Sequence, residues 1–253
     1  MMRSGSLALL IALGSLVAAP DAEAETGISW SGYAIKSADL GSPTPPTAFT
    51  AVSAMWTQPA VTCPLDNAKV SFWVGIDGDG TRTVEQAGTL VTCSATNQPP
   101  VYQAFWEMYD ANGGSHGAEP FNVSPGDVIQ ASASYVGGVS YLLEVKDLTS
   151  GASFSTTQSC NANIVCKRGT AEWIVERPGS GSFPLADYGT VEFVNALETH
   201  SGPTPARVEI NMVDVSTTLS ACGLIASGRP LPDFSTPFWN FTNGFACHWL
   251  AAN

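Results

Sequence analysis

Positive charge is scarce in this chain: 10 Lys and Arg stand against 22 Asp and Glu in 253 residues, a formal net charge of -12. No cluster of cations exists to neutralise phosphates, which makes nucleic acid a poor candidate partner, and none is expected. Charge of either sign is sparse, at 13% of residues. Such a surface has few ion pairs to lose and little self-repulsion to gain on acidification, and it suits an acidic environment. Beyond the N-terminal segment no stretch approaches 18 consecutive apolar residues, so no ordinary membrane-spanning helix is expected. There are three histidines, no closely spaced His pair and no Cys-x-x-Cys, which argues against a metal cluster. No long segment carries a helical period, and neither an internal repeat nor a polar linker interrupts the chain.

The beginning of the chain has the grammar of export. Met1-Met2-Arg3 is a positive start, Leu7 to Ala19 is apolar, and Ala22-Glu23-Ala24 fits a small-x-small cleavage site. Residues 1–24 are expected to be a signal peptide and 25–253 a single domain, secreted to the extracellular space and independent of the membrane after cleavage. Removing Arg3, Asp21 and Glu23 with the leader changes the formal charge from -12 to -11. All six cysteines lie in the exported part, where disulfides persist. Six cysteines allow about 15 connectivities, and nearest-neighbour pairing is the expectation: Cys63 with Cys93, Cys160 with Cys166, Cys222 with Cys247. The aromatic tail from Phe234 to Asn253 is expected to be tied to Cys222.

Short apolar or alternating segments separated by Gly, Pro and Asn predict around a dozen strands and one all-β, two-sheet sandwich. Twelve segments qualify: 28–35, 48–57, 69–76, 83–92, 101–109, 128–136, 140–147, 153–157, 171–176, 191–197, 206–215 and 218–221. Strand parity divides three of them alike. Val70, Phe72, Val74 and Ile76 are apolar, while Ser71, Trp73, Gly75 and Asp77 are mixed. Ala104, Trp106 and Met108 oppose Phe105, Glu107 and Tyr109. Ala171, Trp173 and Val175 oppose Glu172, Ile174 and Glu176. The second face of each strand combines aromatics with acids, a composition expected of a binding groove rather than a wetted sheet.

Several familiar patterns fail on context. Gly113-Gly114-Ser115-His116-Gly117 matches a nucleophile elbow formally, but an elbow needs a strand-to-helix turn and this pentapeptide reads as a polar loop before a strand. Asp77-Gly78-Asp79-Gly80 opens like a calcium loop without the remaining ligands. Asn122-Val123-Ser124 and Asn240-Phe241-Thr242 are glycosylation sequons.

The ordered set Trp30-Ser31-Gly32-Tyr33, Trp73-Val74-Gly75-Ile76-Asp77-Gly78, Gln86-Ala87-Gly88, Tyr102 to Tyr109, Ala171-Glu172-Trp173-Ile174-Val175-Glu176 and Asp187-Tyr188-Gly189-Thr190-Val191 resembles the glutamic peptidases, or eqolisins. The resemblance implies a concanavalin-like antiparallel β-sandwich with its active site on the concave sheet, and acid endopeptidase activity on protein or peptide substrates. It implies a catalytic glutamine at Gln86 and a catalytic glutamate at Glu172. Trp73, Asp77, Glu107 and Tyr109 fall on residues that support or line the site, and Trp30 on a substrate-contacting tryptophan. Glu176 is the alternative acid on the same face. The chemistry needs no cofactor or metal, because a carboxylate can move the water's proton and a neutral amide can donate to an oxyanion. The chain is expected to act as a monomer. Fungal members of the family carry a substantial pro-segment; here five residues separate the expected cleavage point from Trp30, which leaves zymogen control open. Two other readings suit aromatics and acids on a concave sheet: a noncatalytic carbohydrate-binding sandwich, and a glycoside hydrolase using Glu107 and Glu172.

Overall fold

The computed structural model describes residues 24–110, 115–225 and 244–252. The expected signal peptide up to residue 23, Gly113-Gly114, and residues 226–243, with the Asn240 sequon and the first part of the aromatic tail, lie outside the described residues.

Every regular element among the described residues is a strand: β1 (Glu25–Gly27), β2 (Trp30–Lys36), β3 (Ala48–Thr57), β4 (Lys69–Ile76), β5 (Thr83–Thr92), β6 (Val101–Asp110), β7 (Ser115–Asn122), β8 (Val128–Gly137), β9 (Ser140–Asp147), β10 (Ser153–Ser159), β11 (Thr170–Glu176), β12 (Thr190–Ser201), β13 (Ala206–Asp214), β14 (Thr217–Leu224) and β15 (Phe245–Trp249). Among these residues no helix is long and apolar enough to cross a membrane. The strands run in the order β10-β9-β8-β3-β12-β15-β14-β13-β2-β11-β4-β5-β6-β7, with β1 beside β13. Only the β1 pairing is parallel.

One strand joins the two layers. The first part of β12 pairs with β15 and the second with β3, and the register shifts between Val194 and Leu197, where Asn195 has φ 50°. A bulge of this kind bends a strand enough to pass it from one sheet to the other. The ribbon therefore folds over, and β3, β8 and β9 pack across β4, β5 and β11. Trp56, Phe72, Trp173, Phe193 and Phe245 are fully buried between the layers. The Trp173 indole donates to the Ser53 carbonyl at 2.9 Å, joining β11 to β3. Disulfides link Cys63–Cys93, Cys160–Cys166 and Cys222–Cys247, the expected pairs. The last joins directly opposed residues of β14 and β15.

The predicted strands are present, four of the twelve with ends displaced by two residues or more. β1, β7 and β15 were not expected. Ser115-His116-Gly117 is not a loop but the start of β7, which forms the last strand of its sheet. Gly117 and Pro120 conceal it in the sequence, and Pro is tolerated there because an edge strand need not donate on both sides. The second face of β11 is not wetted, as its composition implied: Glu172 and Ile174 are fully buried, and Trp73, Val84, Ile174 and Ile210 form a second apolar cluster against Trp30 and Phe105.

Candidate active site

Register builds the site. Glu172 pairs with Gly75 across β11 and β4, Gly75 with Gln86 across β4 and β5, and Gln86 with Glu107 across β5 and β6. Directly paired residues share a face, so Glu172, Gln86 and Glu107 form one row, with a glycine between the first two. Two strand spacings put the Glu172 and Gln86 backbones about 10 Å apart. Gly75 keeps the interval open: a Cβ there would meet Trp73 Cζ3 at 3.0 Å, Val84 Cγ1 at 3.2 Å and Gln86 Cβ at 3.3 Å.

The Gln86 amide is oriented by its neighbour. Its Nε2 donates to Glu107 Oε2 at 2.9 Å, and an ionised carboxylate can only accept, which turns the NH2 towards β6. Gln86 Oε1 is buried and has no partner.

Glu172 sits beneath the turn between β4 and β5. Its Oε1 accepts the Asp79 backbone N–H at 2.5 Å and the Thr170 hydroxyl at 2.9 Å, while Oε2 has no partner. Burial pushes its pKa well above the ordinary value, and the charges of Asp79 and Asp77 add to the effect; the two donors oppose it. The cover is tight. Gly78 has φ 132°, and a Cβ at that position would fall 2.5 Å from Glu172 Oε2 and 2.8 Å from Trp30 Cη2. The turn is held by Lys36, whose ammonium lies 2.6 Å from Asp79 and 2.9 Å from Glu25.

Asp77 does not face the groove. With φ 62°, it turns under the sheet and accepts the Arg168 and Gly169 N–H groups at 2.7 Å each. Its own N–H donates to the Thr170 carbonyl at 2.9 Å. Asp77 thus ties the start of β11 to the end of β4, and burial raises its pKa to about 6 against those donors. Glu176 lies at the far end of the same β11 face, where Trp73 Nε1 donates to its Oε2 at 2.8 Å. Burial lifts its pKa to about 7, the Trp73, Trp30 and Ser71 donors oppose this, and the Glu107 charge reinforces it. Trp30 packs edge-on against Trp73 with centroids 5.0 Å apart.

A groove of about 510 Å³ opens over this row, lined among others by Trp30, Gly78, Arg82, Gln86, Glu107 and Glu176. Tyr109 is on its rim, 47% exposed. The structure therefore brings Trp30, Gln86, Glu107, Tyr109 and Glu176 to the groove, puts Glu172 just behind its floor, and sets Trp73 and Asp77 in supporting positions. Thr170 and the Asp79 N–H are partners of Glu172 that sequence reading missed. Thr170 could have been found, two residues before Glu172 on the same strand face; the Asp79 contact is made by backbone and leaves no trace in residue type.

The model of the Peptidase A4 family matches residues 29–237. Aspergillopepsin-2 of Aspergillus niger is 31% identical over 147 residues, which are 57% of this chain and 51% of the relative, so the chain spans about half of that protein's length. Among solved structures, scytalido-glutamic peptidase with a transition state analog inhibitor superposes with a TM-score of 0.65 at 22% identity, covering 88% of this chain and 98% of that one. Aspergilloglutamic peptidase from Aspergillus niger superposes with a TM-score of 0.54 at 27% identity, covering 72% and 99%.

Proposed function

Since the chain belongs to the Peptidase A4 family, we propose that it is a secreted endopeptidase that hydrolyses peptide bonds with Glu172 and Gln86 as its working pair. The observation that carries this reading is the row Glu172, Gly75, Gln86: a carboxylate and an amide on one face, separated by a position without a side chain. A substrate carbonyl and a water fit that interval.

The water oxygen attacks the scissile carbonyl carbon while one water proton passes to Glu172 Oε2, the oxygen that no protein donor occupies. Gln86 donates an N–H to the developing oxyanion, its amide held in register by Glu107. The carbon–nitrogen bond then breaks as Glu172 returns the proton to the leaving nitrogen, giving a carboxylic acid, an amine and the original carboxylate. Asp77 acts by positioning the strand that bears Glu172, without touching the reacting atoms. Three disulfides suit an oxidising, extracellular setting. The substrates are proteins or peptides, the molecule acts as a monomer, and neither nucleic acid nor membrane takes part.

A glycosidase pair of Glu107 and Glu172 fits less well. Gln86, bonded to Glu107, stands between them.

The test incubates purified protein with a denatured protein and with polysaccharides between about pH 2 and 7. Peptide cleavage should survive chelators and reagents against serine and cysteine nucleophiles. Gln86→Ala should lower kcat by roughly 10²- to 10³-fold, the usual cost of one oxyanion donor, and Glu172→Gln should abolish cleavage in a protein that still folds. Full activity in Glu172→Ala, or sugar release without peptide cleavage, would refute the reading.

A further inference from the structure

Arg82 stands out in the groove because cations are rare in this chain and it is the only one among the described residues lining the cavity. It lies in the turn just before β5, four residues before Gln86, and both line the same cavity. It is exposed and makes no hydrogen bond or ion pair among the described residues. The other charged or titratable groups lining the cavity are Glu107 and Tyr109 on β6 and Glu176 on β11, while Asp79, in the turn that carries Arg82, is paired with Lys36. An unpaired guanidinium on the wall of a cleft offers a carboxylate two parallel N–H donors.

We propose that Arg82 makes the groove selective for peptides that carry an acidic side chain within about four residues of the scissile bond, the distance that four strand residues span along β5. This rests on the reading of Glu172 and Gln86 as the point of cleavage. The substrate carboxylate docks on the guanidinium and sets the register of the peptide over Gln86. Glu176 carries a proton below about pH 7, so in acid it does not repel that carboxylate.

The experiment measures binding of labelled peptide pairs, identical except for Glu or Gln at one position, scanned over about four positions on each side of the cleavage point. Fluorescence anisotropy on the Glu172→Gln protein removes turnover from the measurement. At one position Glu should bind about fivefold more tightly than Gln near pH 6, the upper range for an accessible ion pair. The ratio should fall to one near pH 3, because the peptide's carboxylate protonates around pH 4.3 and then no longer differs in charge from Gln. Adding Arg82→Ala should bring the ratio to one at both pH values, and Arg82→Lys should keep part of it. Equal binding at every position near pH 6, or a preference that survives Arg82→Ala, would overturn the proposal. Cleavage by the unmodified protein is followed in parallel. If neither peptide is cut, the peptidase reading falls while the binding ratios still decide the role of Arg82.

Discussion

Replacing Glu85 by Gln should stabilise this protein at neutral pH and leave it nearly unchanged in acid. Glu85 lies on β5 opposite Ile76 and Met108, with its side chain on the core side. It is fully buried, and neither carboxylate oxygen has a hydrogen-bond partner. One oxygen lies within 4.8 Å of both sulfurs of Cys160–Cys166. Burial drives its pKa well above the ordinary value, and the charges of Asp77 and Glu172 push the same way, outweighing the nearby Thr83 hydroxyl. The folded state then keeps a proton that the unfolded chain has lost, so this group's contribution is fully present below the ordinary carboxylate range and is lost as pH rises towards the folded pKa. Glutamine reproduces the shape and neutrality of the protonated acid but cannot ionise. A buried charged group without partners costs roughly 2–3 kcal/mol or more. Glu85→Gln should therefore gain about that much on the parent between about pH 3 and 7, or roughly 5–10 °C in Tm for a chain of this size. Urea unfolding followed by tryptophan fluorescence at several pH values measures it. Parallel pH profiles for the two proteins, or a less stable variant at pH 7, would refute the argument.

Asp77 obeys the same sign: its pKa rises from 3.8 to about 6, two units or roughly 3 kcal/mol, so the parent should lose about that much stability between pH 4 and 7 from this group, and Asp77→Asn should flatten that part of the curve. If Glu172 acts as the base, kcat/KM should decline on acidification with an apparent pKa above the ordinary 4.5, because the folded environment raises it; a limb below 4.5 in the pH–rate profile would remove Glu172 from that role. Gly78→Ala should lower kcat/KM at least about tenfold and cost roughly 1–3 kcal/mol, since the new Cβ meets Glu172 Oε2 at 2.5 Å with φ at 132°; kinetics and urea midpoints together test it. Replacing Cys222 and Cys247 by Ser opens a link of sequence separation 25 and should cost about 3–4 kcal/mol, read as a shift in the urea midpoint.

Much of the architecture was legible because it is local. Alternation and turn residues located Lys69–Ile76 and Thr83–Thr92 to the residue, since a pleated strand must separate apolar from polar positions. The same parity set Glu172 and Glu107 on the acid-bearing faces of their strands, whereas Gln86 was named only by the family resemblance and joined to their row by strand register. Glu85 was legible too but was passed over: it shares parity with Ala87 and Val91, both fully buried, and an acid in that series signals a buried charge. β7 was hidden by its glycine and proline, and β15 by its five-residue length.

By itself, the sequence determined an all-β chain, and its resemblance to the glutamic peptidases singled out the acids and the amide of the candidate site. Only the tertiary structure decided how those groups stand in relation to water. The turn from Gly78 to Arg82 closes over Glu172, Lys36 clamps that turn through Asp79, and Asp77 faces away from the groove to hold the start of β11. Residue type records the capacity to accept a proton; the strength and timing of that acceptance depend on burial and on backbone donors, which arise from segments about 90 residues apart in the chain.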